Sequence, residues 1–199
     1  MGPVKLWEAV LDGDWQRNCA VLWQKQMLDQ LIAIDPGTTH SGVVVLQDGV
    51  PKGGAKCANE KALHLLQTSD AAVVIESVAS YGKPVGVETF ETVLWYGRFV
   101  QAHLERSERP VMLLRRPDVK QQLCYTTKGV TDAVLRQRML DKFGGRSAIG
   151  TKGQPGVLYG FKRDIWQALA VGVAALEMVE QVAARQRRQF REVNVQGDE

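Results

Sequence analysis

The chain reads as a single α/β domain built on a mixed five-stranded sheet flanked by helices. Three observations predict this. Short runs rich in Val and Ile alternate with longer stretches of helical period; the first three strands are joined by short turns, whereas the fourth and fifth are set apart by helical segments; and 199 residues, 45% hydrophobic and 24% charged, suffice for one packed core. The body is expected over residues 31–184, with a helical appendage over 1–30 and a basic flexible tail over 185–199.

Leu31–Ile34 is an apolar run ending in the polar turn Asp35-Pro36-Gly37-Thr38-Thr39-His40-Ser41-Gly42, and Val43–Gln47 resumes as a second strand. Asp48-Gly49 suits a tight hairpin, so a third strand is expected from Val50 to about Lys56, completing an antiparallel meander. A helix from about Asn59 to Thr68 follows. Ala71–Glu76 is a continuous apolar run that ends on an acid, the pattern of a strand buried on both faces. Beyond a Gly/Pro loop at Ser80–Pro84, the apolar positions Phe90, Leu94, Phe99 and Leu104 mark a long helix over Val87–Arg106. Pro110–Leu114 is a fifth strand and Pro117–Leu123 a short helix, and Thr131 caps a helix that reaches Phe143 and is closed by Gly144-Gly145. Arg146–Gly160 reads as a mobile basic loop, and the last helix runs from near Arg163 to about Ala184. At the ends, Trp7, Trp15 and Trp23 recur at intervals of eight, and Arg185, Arg187, Arg188 and Arg191 make the tail basic.

The longest apolar stretches fall far short of the roughly 20 residues that span a bilayer, so no membrane segment is expected. Nor does the amino end show a secretion signal, with Lys5, Glu8, Asp12 and Asp14 among its apolar positions. Cys19, Cys57 and Cys124 are odd in number, far apart and lack metal-ligand spacing, which suits inert reduced core thiols in a cytosol better than a disulfide framework.

Charge is uneven. Thirteen Lys or Arg stand against four acids between Arg106 and Arg163, a net +9 in a chain of net +3, leaving −6 elsewhere. Such a block is the footprint of a phosphate-backbone binder, or else a solvated charged face. Lys120, Lys128, Arg136 and Arg138 are its candidate phosphate contacts.

Three carboxylates are placed for chemistry. Asp35 ends one strand, Glu76 ends another, and Asp164 opens the last helix. Singly, each is open to a plainer role as a turn residue, a cap or a partner of the helix dipole. Together they gain weight, because neighbouring strand ends converge and a helix packed on that edge brings a third acid alongside. Converging carboxylates raise one another's pKa unless a cation neutralises them. Oxygen-only ligands select a hard ion, and two Mg²⁺ about 4 Å apart would activate water and stabilise the leaving oxygen at phosphorus.

Ile32-Ala33-Ile34-Asp35-Pro36-Gly37-Thr38-Thr39-His40-Ser41-Gly42 resembles the opening motif of the RuvC family of Holliday-junction resolvases, and Val74-Ile75-Glu76-Ser77-Val78 resembles its second motif. Tyr96–Ala102 with Asp118-Val119-Lys120-Gln121 is similar to the family's interface helix and the stretch after it, and Lys162–Val171 to its carboxy-terminal motif. The resemblance runs from about Leu31 to Glu177. It implies a ribonuclease-H-like fold and a Mg²⁺-dependent structure-selective endonuclease, with Mn²⁺ able to substitute, that resolves branched DNA such as a four-way junction by paired cuts leaving 5′-phosphates. Asp35, Glu76 and Asp164 would be the catalytic metal ligands, and the compact form suggests a phage or prophage setting. It also implies a homodimer paired through Val87–Arg106, a segment equally readable as an intramolecular core helix. Tyr81 would stack on an unpaired base at the crossover, or is an ordinary surface aromatic.

Two departures stand out. The family's last motif carries a second acid one helical turn on, where this chain has Gln167; its carbonyl can ligate a hard cation but adds no charge. Weaker Mg²⁺ binding is expected, or a stand-in acid among Glu88, Glu91 and Asp132. Asp132 also lies near where the family tends to carry a base. Two rival classes remain: a non-catalytic branched-DNA-binding module with a decayed metal site, and an actin-like ATPase fragment, which shares the Asp-x-Gly-Thr-Thr opening but requires two such domains and a second phosphate loop.

Overall fold

The computed structural model describes residues 24–196 apart from Ala79, Tyr81 and Lys83, with side chains described as far as residue 188. The chain orders as β1 (Leu31–Asp35), β2 (His40–Gln47), β3 (Val50–Ala58), α1 (Asn59–Thr68), β4 (Ala72–Ser77), α2 (Val87–Arg106), β5 (Val111–Arg115), α3 (Arg116–Cys124), α4 (Asp132–Lys142), a 3₁₀ turn at Gly145–Ala148 and α5 (Arg163–Gln196). The five strands form one mixed sheet in the order β3-β2-β1-β4-β5. β1 to β3 are the antiparallel meander that Asp48-Gly49 predicts, both turn residues having positive φ, and β4 and β5 add in parallel.

Strand alternation divides the core into two layers. Leu31, Ala33, Val44, Leu46, Ala72 and Val74 face α3, α4 and α5, whereas Ile32, Ile34, Val43, Val73 and Ile75 face α1 and α2. α5 lies close on its layer because it is built there from small residues: a Cβ at Gly172 would come 2.9 Å from both Ala33 Cβ and Leu46 Cδ1. The stretch Arg163–Arg188 is long and apolar enough to cross a membrane by length and composition, but 61% of its most apolar window is buried within the fold. Scattered apolar positions on a core helix account for this; the sequence has no continuous run of that length.

Several boundaries need correction. α5 continues to Gln196, past the end expected near Ala184, because the Arg, Gln and Glu residues beyond it are good helix formers. The segment expected to be a mobile loop over Arg146–Gly160 is folded on itself: Gly156 N–H donates to Ile149 O at 3.1 Å, Leu158 N–H donates to Ala148 O at 2.7 Å, and the Leu158 side chain is buried. On α2, Phe99 is buried as its pattern predicts, but Phe90, Leu94 and Leu104 are exposed. Cys57 and Cys124 are only half-buried rather than core thiols, and Cys19 lies outside the described residues. Of the appendage expected over 1–30, residues 1–23 with Trp7, Trp15 and Trp23 also lie outside; residues 24–29 are helical and bury Met27.

Candidate active site

The period of two that orders the core also aims the site. Asp35 follows Leu31 and Ala33 on the α5 face of β1, and Glu76 follows Ala72 and Val74 on the same face of β4. Ile34 pairs with Ile75 in parallel register, so the two acids end adjacent strands side by side. The opposite neighbour of Asp35 is Gly42 on β2. A Cβ at Gly42 would stand 2.6 Å from the carbonyl carbon of Asp164, so the missing side chain is what lets the first turn of α5 press against the sheet beside Asp35.

The turn between β1 and β2 is fixed from beneath. Asn59, fully buried at the start of α1, donates from Nδ2 to Gly37 O at 2.9 Å and accepts from Ser41 Oγ at 2.7 Å, while its backbone N–H donates to Thr39 O at 3.0 Å. Buried polar groups satisfied in this way hold one loop geometry. The pairing of Ser41 with Asn59 was not visible in the sequence, because it spans 18 residues.

Electrostatics mark this end of the sheet. Burial raises the Asp35 carboxyl to about 7; Glu76, Asp164 and Asp132 push in the same direction and Arg116 opposes them. Glu76 is also raised by burial, with Arg116 acting against the shift. Arg116 Nη1 donates to Glu76 Oε2 at 3.0 Å and Nη2 to Asp132 Oδ1. For Arg116 itself, burial opposes the charged guanidinium, but Glu76 and Asp132 more than offset it and its pKa is raised. Asp164 pairs with Lys56, Nζ to Oδ2 at 2.6 Å. Asp132 is therefore the acid that joins this cluster, whereas Glu88 and Glu91 lie exposed on α2.

The expected acids thus share one end of the sheet, but they do not close into a cage: among the described residues no three His, Cys, Asp or Glu side chains could enclose a metal ion. The donor chemistry nonetheless fits a hard cation. Gln167 Oε1 is buried without a hydrogen-bond partner, and Gln167 lines, with Asp164, Asp132, Lys56 and Arg136, an open cleft of about 1050 Å³. An orphaned carbonyl oxygen costs free energy in a folded protein unless something else takes it up.

The basic candidates divide. Lys120 is half-buried on α3 and close enough to Glu76 to lower its pKa. Arg136 lies over the Trp166 ring, 5.0 Å from its centroid, on the wall of the cleft. Lys128 is exposed in the loop after α3. Arg138 instead donates from Nε to Leu123 O at 2.8 Å, tying α4 to the end of α3. Tyr81 lies outside the described residues.

No family model matches the chain, and no curated protein does. Solved structures do. The Thermus thermophilus RuvC structure superposes with a TM-score of 0.56 at 18% identity, over 76% of this chain and 96% of that one. T. thermophilus RuvC in complex with a Holliday junction substrate gives a TM-score of 0.53, again at 18% identity, over 76% and 95%. The mixed sheet in this strand order, its flanking helices and its coverage of nearly the whole of RuvC give this chain a RuvC-like fold.

Proposed function

We propose that the chain is a divalent-cation-dependent endonuclease that resolves four-way DNA junctions, or closely related branched DNA, by paired strand cuts. The observation that carries this reading is the placement of half-buried Asp35 and Glu76 at the ends of adjacent parallel strands, on the face where α5 brings Asp164, with Asp35 raised to about 7 by desolvation and then by the neighbouring acids. A strongly perturbed carboxyl beside other acids at one edge of a sheet points to a functional site. The RuvC-like fold supports the choice of substrate, since the T. thermophilus protein has been captured with a Holliday junction.

In this reading Asp35, Glu76, Asp164 and the Gln167 Oε1 hold Mg²⁺, with Mn²⁺ as a substitute. Cations bound there supply an activated water and neutralise charge at the scissile phosphate. Asp35 is partly protonated near neutrality, so it gives up a proton as the site loads. Lys120 and Arg136 contact the phosphates flanking the cut, with Lys128 further out. Two copies pair through α2, where Val87, Phe90 and Leu94 are 72%, 64% and 65% exposed; an apolar stripe of that kind is the mark of an interaction surface.

The test is a cleavage assay on a synthetic four-way junction in Mg²⁺ or Mn²⁺, comparing the parent with Asp35→Asn and including flaps, forks and linear duplex. Paired cuts by the parent that vanish in the variant support the proposal. Binding without cleavage under either ion supports a non-catalytic branched-DNA module, the reading that Gln167 in place of an acid favours. Calorimetric titration of Mg²⁺ into Gln167→Asp tests the missing charge: the affinity should rise, and no gain sinks the view that Gln167 weakens the site.

A further inference from the structure

The cations closest to the candidate site belong to the chain. Arg116, whose side chain is only 22% exposed, presents one guanidinium nitrogen to Glu76 and the other to Asp132. Lys56 pairs with Asp164, although more than half of the lysine side chain is in solvent. Among the described residues Asp35 has no ion pair, and it feels Arg116 only through space. Glu76 and Asp164, two of the three expected ligands, are thus already neutralised.

A dication entering between Asp35 and Glu76 meets a monovalent charge already held there, and like charges repel strongly where water is scarce. The guanidinium cannot simply leave, because a half-buried cation stripped of its partner is costly. Asp132 removes that difficulty. Its side chain is 70% exposed, and it pairs with the guanidinium nitrogen that Glu76 does not use.

We propose that Arg116 is the resident counterion of this site: it holds Glu76 and Asp132 while no divalent cation is bound, yields Glu76 when one arrives, and so sets the concentration at which the site loads. The proposal rests on the cation-dependent reading above and adds to it the residue that competes with the cation. Lys56 has the same part at Asp164 with a weaker hold, since an exposed pair is screened by solvent and salt.

The test is calorimetric titration of Mg²⁺ into the full chain after chelator treatment, at pH 8.5 to limit competition from protons. The parent is compared with Arg116→Gln, Arg116→Lys and Lys56→Gln. Removing a fixed positive charge a few Å from the ion should tighten Mg²⁺ by about tenfold or more in Arg116→Gln. Arg116→Lys should fall between it and the parent, and Lys56→Gln should change affinity by less than about threefold. Unchanged or weaker affinity in both Arg116 variants overturns the proposal. Thermal unfolding gives a second readout: Arg116→Gln should melt lower than the parent in chelator and gain more on adding Mg²⁺, and an equal gain overturns the idea. If Arg116→Gln does not fold under either condition, Arg116→Lys decides. A parent that binds Mg²⁺ and cuts no DNA defeats the nuclease reading alone; a parent that cuts, with affinity unchanged in the variants, defeats this proposal alone; no Mg²⁺ binding by any of these proteins defeats both.

Discussion

The two ends of the sheet use the same kinds of side chain to opposite effect. Before β4, Asp70 accepts from Ser107 Oγ at 2.6 Å and from Arg109 Nε at 3.4 Å, while Arg109 also reaches the Gln26 carbonyl and Asp29. Its carboxyl lies below the usual range, chiefly through the Ser107 hydrogen bond, with Arg109 adding to it. After β1 and β4, Asp35 and Glu76 are half-buried and pushed upward, chiefly by desolvation. Asp70 is exposed and well supplied with donors; Asp35 is half-buried among other acids. One end closes the structure where three chain segments meet; the other gathers acids among which Arg116 and Lys56 pair with Glu76 and Asp164 and leave Asp35, among the described residues, without an ion pair, the pattern of a functional site.

That contrast can be broken most directly by rate. Asp35→Asn should lower junction cleavage by about 10³-fold, whereas Ser107→Ala at the opposite end should leave it unchanged. Equal losses in the two variants would erase the distinction. Next in size is Gly42→Ala. Its Cβ would run into the backbone of Asp164, which cannot yield without moving α5, and urea denaturation should show a loss of about 2–4 kcal/mol. Gly53→Ala on β3 is the control, since nothing lies within 4 Å of its Cβ, and it should change stability by less than about 0.5 kcal/mol.

The third prediction concerns pH. Asp35 is raised from 3.8 to about 7, so the folded state holds its proton more tightly than the unfolded chain. Its contribution to stability is full below the unfolded value and is lost as pH rises through about 7. Asparagine has no such loss, so Asp35→Asn should be more stable than the parent by roughly 2–4 kcal/mol at pH 8 and nearly equal to it at pH 4. Thermal melts at the two pH values without divalent cation would show it, and a parent no less stable than the variant at pH 8 would count against the burial of Asp35. Smallest is the converse at Asp70. Its lowered pKa contributes stability that is lost as pH falls through it, so Ser107→Ala should move the acid-unfolding midpoint slightly upward in pH.

Much of this was legible in the sequence because it rests on local signals. Strand alternation, the Asp48-Gly49 turn and the acids closing two apolar runs placed β1 to β4 and the Asp35–Glu76 pair, since a period of two fixes which face each residue occupies. The counterions were not legible. Arg116 meets Glu76 across 40 residues, and nothing in the spacing of either marks the pair. The folded loop before α5 was missed for a related reason: it is held by backbone contacts at Gly150 and Gly156, which leave no periodic trace. Asp132 stood among three possible stand-in acids, and its pairing with Arg116 and its place on the wall of the cleft, neither visible in the sequence, separate it from Glu88 and Glu91.

The close fit at Gly42 also bears on how the chain reaches this structure. Residues 40 to 44 are His, Ser, Gly, Val and Val, so every slip of β2 against β1 by one or two residues would set a Cβ where the Asp164 backbone must lie. A slip by one would also turn the buried face of β2 outward. Docking of the last helix therefore proofreads the first hairpin: α5 can seat only on the register that brings Gly42 opposite Asp35, so the three carboxylates gather only on a correctly paired sheet.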